Sequence, residues 1–163
     1  MENRIIERGA PIRTEKFQLD GKVEMTNVYR INIESLYYND ENGRIATFIA
    51  EYNAENPDGI NSLSFDEYND TLMKYVKKSG SRDKFNTTKK DIAQNGQLKT
   101  GIILEDGRII DGNRRFTCLR ELYKETLNEK YKYFECFVLR SLAYNETGAN
   151  NKNNRTETTA LLK

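Results

Sequence analysis

The chain contains no histidine. That absence removes histidine-based catalytic triads, the usual imidazole proton shuttles and imidazole metal ligands. Cysteine is scarce as well. Cys118 and Cys136 fit neither a zinc cluster nor a disulfide framework, and both lie in apolar patterns that predict buried thiols in a reducing compartment. A surplus of charge of one sign is missing too. Twenty-six Lys and Arg against 25 Asp and Glu leave a net charge of +1. A protein that holds duplex DNA over its whole surface usually carries a larger basic surplus. No apolar run approaches the roughly 20 residues of a membrane span. The opening "MENRIIERGAPIRTEK" has no signal-peptide core, so the expectation is a cytoplasmic protein with no membrane partner.

What is present is enough for one folded domain: 163 residues, 37% hydrophobic and 31% charged. Residues 1–27 read as a polar N-terminal arm or short hairpin, 28–142 as the domain and 143–163 as an Asn- and Thr-rich flexible tail. "NVYRINI" alternates as a strand does. "NDENGR", 39 to 44, is dense in turn formers, and "IATFIAEYNAEN" predicts a short helix before the breaker "NPDG". The clearest helix follows Ser64, whose spacing to Glu67 is that of a capping box. Phe65, Tyr68, Leu72, Met73 and Val76 form its apolar stripe, and Gly80 can end it. A weaker helix stops at Asn95-Gly96. "LKTGIILEDGRIIDG" predicts a hairpin turning at Asp106-Gly107 in type I′ geometry. A helix from about Arg114 to Leu127 and a final strand in "YKYFECFVLR" complete the pattern. The fold class is α+β: a small mixed sheet with helices packed on it.

The stretch "RIIDGNRRFTCLREL" carries the chemistry. A helix N-terminus exposes unpaired N–H groups and the positive end of the helix dipole, which makes it a ready anion site. Arg114 and Arg115 at that end are unfavourable unless something negative is bound. Gly112 would let a ligand approach the backbone, and Asn113 can cap or donate. The alternative is that one arginine pairs with Asp111 and the other is solvated. Local physics weighs the two about evenly.

The longer stretch "NGQLKTGIILEDGRIIDGNRRFTCLREL" resembles the ParB/sulfiredoxin-like superfamily. The shared features are a helix ending in Gly96-Gln97, an apolar strand, the Asp106-Gly107 turn, a second strand and a G-x-R-R loop opening a helix. An earlier box looks similar at Asn39, Asn42 and Arg44, without the family's prolines. The resemblance covers about residues 28 to 140. It implies a pocket for CTP or ATP, with Gly112, Asn113, Arg114 and Arg115 on the phosphates and Arg44 reaching them from the other side. Gln97 and Thr100 would lie near the base or sugar. Asp111 would help hold Mg²⁺ or position a nucleophile, and a salt bridge to either arginine is the competing role for it.

The family's sulfiredoxins place a reactive cysteine where this chain has Asn113, so sulfinate reduction is not expected, and Cys118, further into the helix, does not replace it. Partition ParB proteins continue into a helix-turn-helix and a dimerisation domain that these 163 residues do not include, so centromere-specific DNA binding is not implied. Expected function is nucleotide binding of ParB type, with possible Mg²⁺-dependent hydrolysis or switching in a plasmid, phage or defence-related protein, and a homodimer among the possible assemblies. Whether it is an enzyme stays open. The alternative is a ParB-like nuclease or another DNA-binding or nucleic-acid-processing protein, for which Asp111, Glu34 and Asp40 are the candidate acids. The basic run "KYVKKSGSRDKFNTTKK" would then line a strand path, although a solvated helix face is the commoner origin of such a run.

Overall fold

β-Branched and aromatic alternation places Arg13–Leu19 (β1) and Lys22–Asn32 (β2) in an antiparallel hairpin. The structure is a computed structural model and describes residues 4–19 and 21–140. The expected flexible tail, 143–163, lies outside the described residues. The expected boundary at residue 27 falls inside β2. That strand pairs with β1 over its first half and, through Tyr29 to Asn32, with the last strand, Tyr133–Leu139 (β5).

Four α-helices and a hairpin lie between. Ala46–Glu55 is α1, Phe65–Ser79 is α2 and Arg82–Asn95 is α3. Gly101–Leu104 (β3) and Ile109–Asp111 (β4) form the hairpin, and Asn113–Thr126 (α4) follows it directly. The sheet order is β1-β2-β5-β3-β4, with β3 parallel to β5 and the other neighbours antiparallel. The fold is therefore mixed α+β, a five-stranded sheet with four α-helices among the described residues. None of those helices is long and apolar enough to cross a membrane.

Caps stop the helices where the sequence says they should. Ser64 Oγ accepts from Glu67 N at 3.2 Å, and Gly96 takes the positive φ that ends α3. The apolar stripe of α2 differs from expectation. Tyr68 and Leu72 are buried, but Phe65, Met73 and Val76 are only partly so, and Asn69 is inside at 3% exposure. Asn69 explains itself by its bonds. Its Oδ1 accepts from Tyr38 N (3.2 Å) and its Nδ2 donates to Leu36 O (2.9 Å), bracketing an irregular segment whose backbone would otherwise be buried unpaired.

The β3–β4 turn also departs from the two-residue type I′ loop. Leu104 N donates to Arg108 O at 2.8 Å and Gly107 N to Leu104 O at 2.9 Å, so the loop has three residues, Glu105 to Gly107. Only Gly107 has a positive φ, 99°, as a turn closed by a glycine bulge requires. The cause is tertiary. Tyr37 pairs with this turn, and a Cβ on Gly107 would stand 2.3 Å from Ser35 O.

The candidate phosphate site at the start of α4

β4 delivers Asp111 to the end of the sheet, and Gly112 turns the chain into α4 with φ 111°, a conformation that L side chains rarely adopt. The first helical bond runs from Phe116 N to Gly112 O at 2.9 Å. No side chain caps this end, and the first turn contains no acid. The unpaired N–H groups and both arginines thus share one end of a 14-residue helix.

The role of Gly112 is partly different from the expected one. A Cβ there would meet Phe134 Cζ at 2.8 Å and Arg115 Nη2 at 3.0 Å. The ring of Phe134, buried on β5, also fills the space a Cβ would take at Gly101, 2.2 Å from its Cζ. Two glycines on neighbouring segments therefore admit one aromatic ring, and the missing side chain at Gly112 serves the core. The guanidinium of Arg115 lies over the same residue, at the loop.

Arg115 Nη2 pairs with Asp111 Oδ2 at 3.4 Å, the salt bridge weighed as the alternative. It is a long contact to a carboxylate whose side chain is 56% exposed, and such pairs contribute about 0–1 kcal/mol. Arg115 itself is only 15% exposed, and its Nε is buried without a hydrogen-bond partner. Asn113 Oδ1 is likewise buried and unpartnered. Arg114 makes no ion pair or hydrogen bond among the described residues.

The first box is tied to this end of α4 through Tyr38. Its ring packs edge-on against Phe116 (centroids 4.8 Å), and its hydroxyl shares a 2.6 Å hydrogen bond with Thr117 Oγ1. Thr117 in turn donates to Asn113 O at 2.7 Å. Burial pushes the Tyr38 hydroxyl up to about 12. Beyond Tyr38, Asn39 Oδ1 accepts from Glu41 N and Asn42 Oδ1 from Arg44 N, so both asparagines shape their own turn. Arg44 is exposed on that turn.

Four other expected site residues are engaged elsewhere. Gln97 Nε2 donates to Glu135 O (2.8 Å) and Lys99 O (2.9 Å), and its Oε1 accepts from Glu135 N (2.8 Å). Its amide acts as one more rung of the β3–β5 ladder. Thr100 Oγ1 donates to Glu15 Oε1 at 2.7 Å, locking the β1 strand to the start of β3. Glu34 lines a separate cleft of about 210 Å³ with Asp66, Asp70 and Arg120. Asp40 stands where its charge favours the Arg108 guanidinium.

Among the described residues no three His, Cys, Asp or Glu side chains form a metal-holding group. Asp111 is the carboxylate beside the Gly112 loop, and its side chain is 56% exposed. Cys118 and Cys136 are both fully buried, and burial raises both thiols, Cys118 to about 12. They are core residues, not nucleophiles.

Sequence reasoning found only part of a second cationic feature. A cleft of about 540 Å³ opens between α2, α3 and α4, lined by Lys77, Lys78, Arg82, Phe85, Lys89 and Glu121 among others. The basic run marked its α2 and α3 walls. Its α4 wall lies over 30 residues further on, and no local pattern connects the two. No protein-family model, curated protein or solved structure matches the chain.

Proposed function

We propose that this chain is a nucleotide-binding domain of the ParB/sulfiredoxin type, taking the phosphates of CTP or ATP at Gly112, Asn113, Arg114 and Arg115. The observation that carries this reading is the uncapped, acid-free N-terminus of α4 with a buried guanidinium nitrogen that has no partner. A phosphate at this end would take the first-turn N–H groups and, on displacing Asp111, would draw out the Arg115 guanidinium to meet it. The weak Asp111–Arg115 pair opposes an arriving phosphate by no more than about 1 kcal/mol. Mg²⁺ would come with the nucleotide, and Asp111 is the carboxylate beside the loop that could meet it. Such a site serves as a switch in a plasmid, phage or defence-related protein, with hydrolysis as an added activity if Asp111 positions a water. Gln97 and Thr100, expected near the base or sugar, bond Glu135, Lys99 and Glu15 and support this site through the sheet.

A thermal-shift panel with ATP, CTP and GTP, with and without Mg²⁺, tests the reading. Ligand at a hundred times its Kd should add about 2.7 kcal/mol of stability. Arg114→Ala with Arg115→Ala should abolish the gain. No shift with any nucleotide ends the proposal. Metal-dependent plasmid cleavage that Asp111→Asn stops would move the function to a nuclease.

A further inference from the structure

α3 runs in the same sense as α4. Phe85 O on α3 meets Cys118 Sγ on α4, and four residues later Lys89 meets Glu121 and Glu125. The cleft between these helices and α2 is built around Glu121, whose side chain is 15% exposed. Lys77 and Lys89 both bond its carboxylate, and Lys89 also reaches Glu125 at 2.6 Å. Burial alone would raise the Glu121 carboxyl, but the two lysine hydrogen bonds outweigh it and hold the group below its ordinary value. The acids of the cleft are therefore neutralised by two of its four cations. Lys78 and Arg82 make no ion pair among the described residues.

One further cation, Arg114, lies beyond the cleft. Arg114, Cys118, Glu121 and Glu125 follow helical spacing on one side of α4. The charges of Arg114, Lys77, Lys89 and Glu121 all bear on the Cys118 thiol. Glu121 lies seven residues from Arg114, about 10 Å along the axis. Arg82 precedes Phe85 by one turn and so lies on the side of the cleft toward Arg114.

We infer that the cleft between α2, α3 and α4 binds a single strand of nucleic acid through its phosphates, the strand running from Lys78 and Arg82 toward Arg114. The choice of a phosphodiester over an acidic peptide rests on the phosphate reading of the Gly112–Arg115 loop, to which Arg114 belongs. Phe85, the aromatic residue of the cleft, is only 9% exposed and offers no open face for a base to stack on. Binding should thus ignore base sequence and depend on salt.

The test is fluorescence anisotropy with a labelled 12-nucleotide oligothymidine strand at several salt concentrations. Three phosphate contacts, from Lys78, Arg82 and Arg114, give a slope of about −2 in log K against log salt, or roughly a 20-fold loss between 50 and 200 mM. The double variant Lys78→Glu/Arg82→Glu changes two exposed side chains outside the core. It should weaken binding at least tenfold and flatten the slope to about −0.7 or less. It should leave any nucleotide-induced thermal shift intact, which separates failure of the cleft from failure of the nucleotide site. A random-sequence strand should bind as well as the oligothymidine. No binding at 50 mM salt, or binding indifferent to the double variant, overturns the inference. Displacement of the strand by polyglutamate at equal charge concentration also overturns it, because the cleft would then be a site for acidic protein.

Discussion

Gln97 separates a ligand role from a structural one. Its amide makes paired 2.8 Å bonds with the N–H and C=O of Glu135, where β3 has not yet begun to pair with β5. Gln97→Ala leaves both backbone groups to half-accessible solvent. Each such bond contributes about 0.5–1.5 kcal/mol, so the variant should lose about 1–3 kcal/mol. For a chain of this size that is a drop of about 2–12 °C in melting temperature. Urea titration should show a lower midpoint at unchanged slope. Gln97→Glu keeps the acceptor for Glu135 N–H but sets a carboxylate against Glu135 O. Its loss at pH 7 should be at least as large and should shrink as the new carboxyl protonates on acidification. In both variants the nucleotide-induced shift, measured from each variant's own melting point, should equal that of the parent. An unchanged melting point with a vanished nucleotide shift would refute the reasoning and put Gln97 back against the base.

The remaining predictions concern the core beneath the site and the alkaline limit of stability. Gly101→Ala drives a methyl into the Phe134 ring, and Gly112→Ala adds a positive-φ penalty to a milder clash, so each should destabilise by about 2–4 kcal/mol in denaturant titration. Phe134→Leu should relieve part of the Gly101→Ala loss in a double-mutant cycle, and full additivity would show that the ring is not the obstacle. Burial raises Cys118 from 9.0, and Tyr37 and Tyr38 from 10.0, each to about 12. Their neutral forms are the native ones, so their contribution is complete below the ordinary values and is lost as pH rises toward about 12. Melting temperature should fall steadily above pH 9. Cys118→Ala should flatten that fall, and an identical alkaline slope would show the thiol is not among its causes.

Much of the local structure was legible because its causes are local. Ser64 with Glu67, Gly96 after Asn95, the alternation of β2 and the apolar face of α4 each act within a few residues. The strand–turn–helix at Ile109 to Arg115 belongs to the same class, which is why the turn at Gly112 and the start of α4 could be located from sequence. The Asp111–Arg115 pair was legible too, since residues four apart meet on a helix.

Tertiary structure alone decided the rest. Nothing near Gln97 or Thr100 shows that β5 would slide between β2 and β3 and engage the first, or that β1 would engage the second. The turn at Gly107 follows the needs of Ser35 and Tyr37, and Gly112 is shaped by Phe134, 22 residues later. The basic cleft needs Glu121 and Glu125 to complete a wall that α2 and α3 begin. Sequence fixes what a helix end or a turn can do, because backbone geometry acts over a few residues. Which of those capacities remains open to a ligand depends on what distant segments occupy, and close packing settles that only when the whole chain has folded.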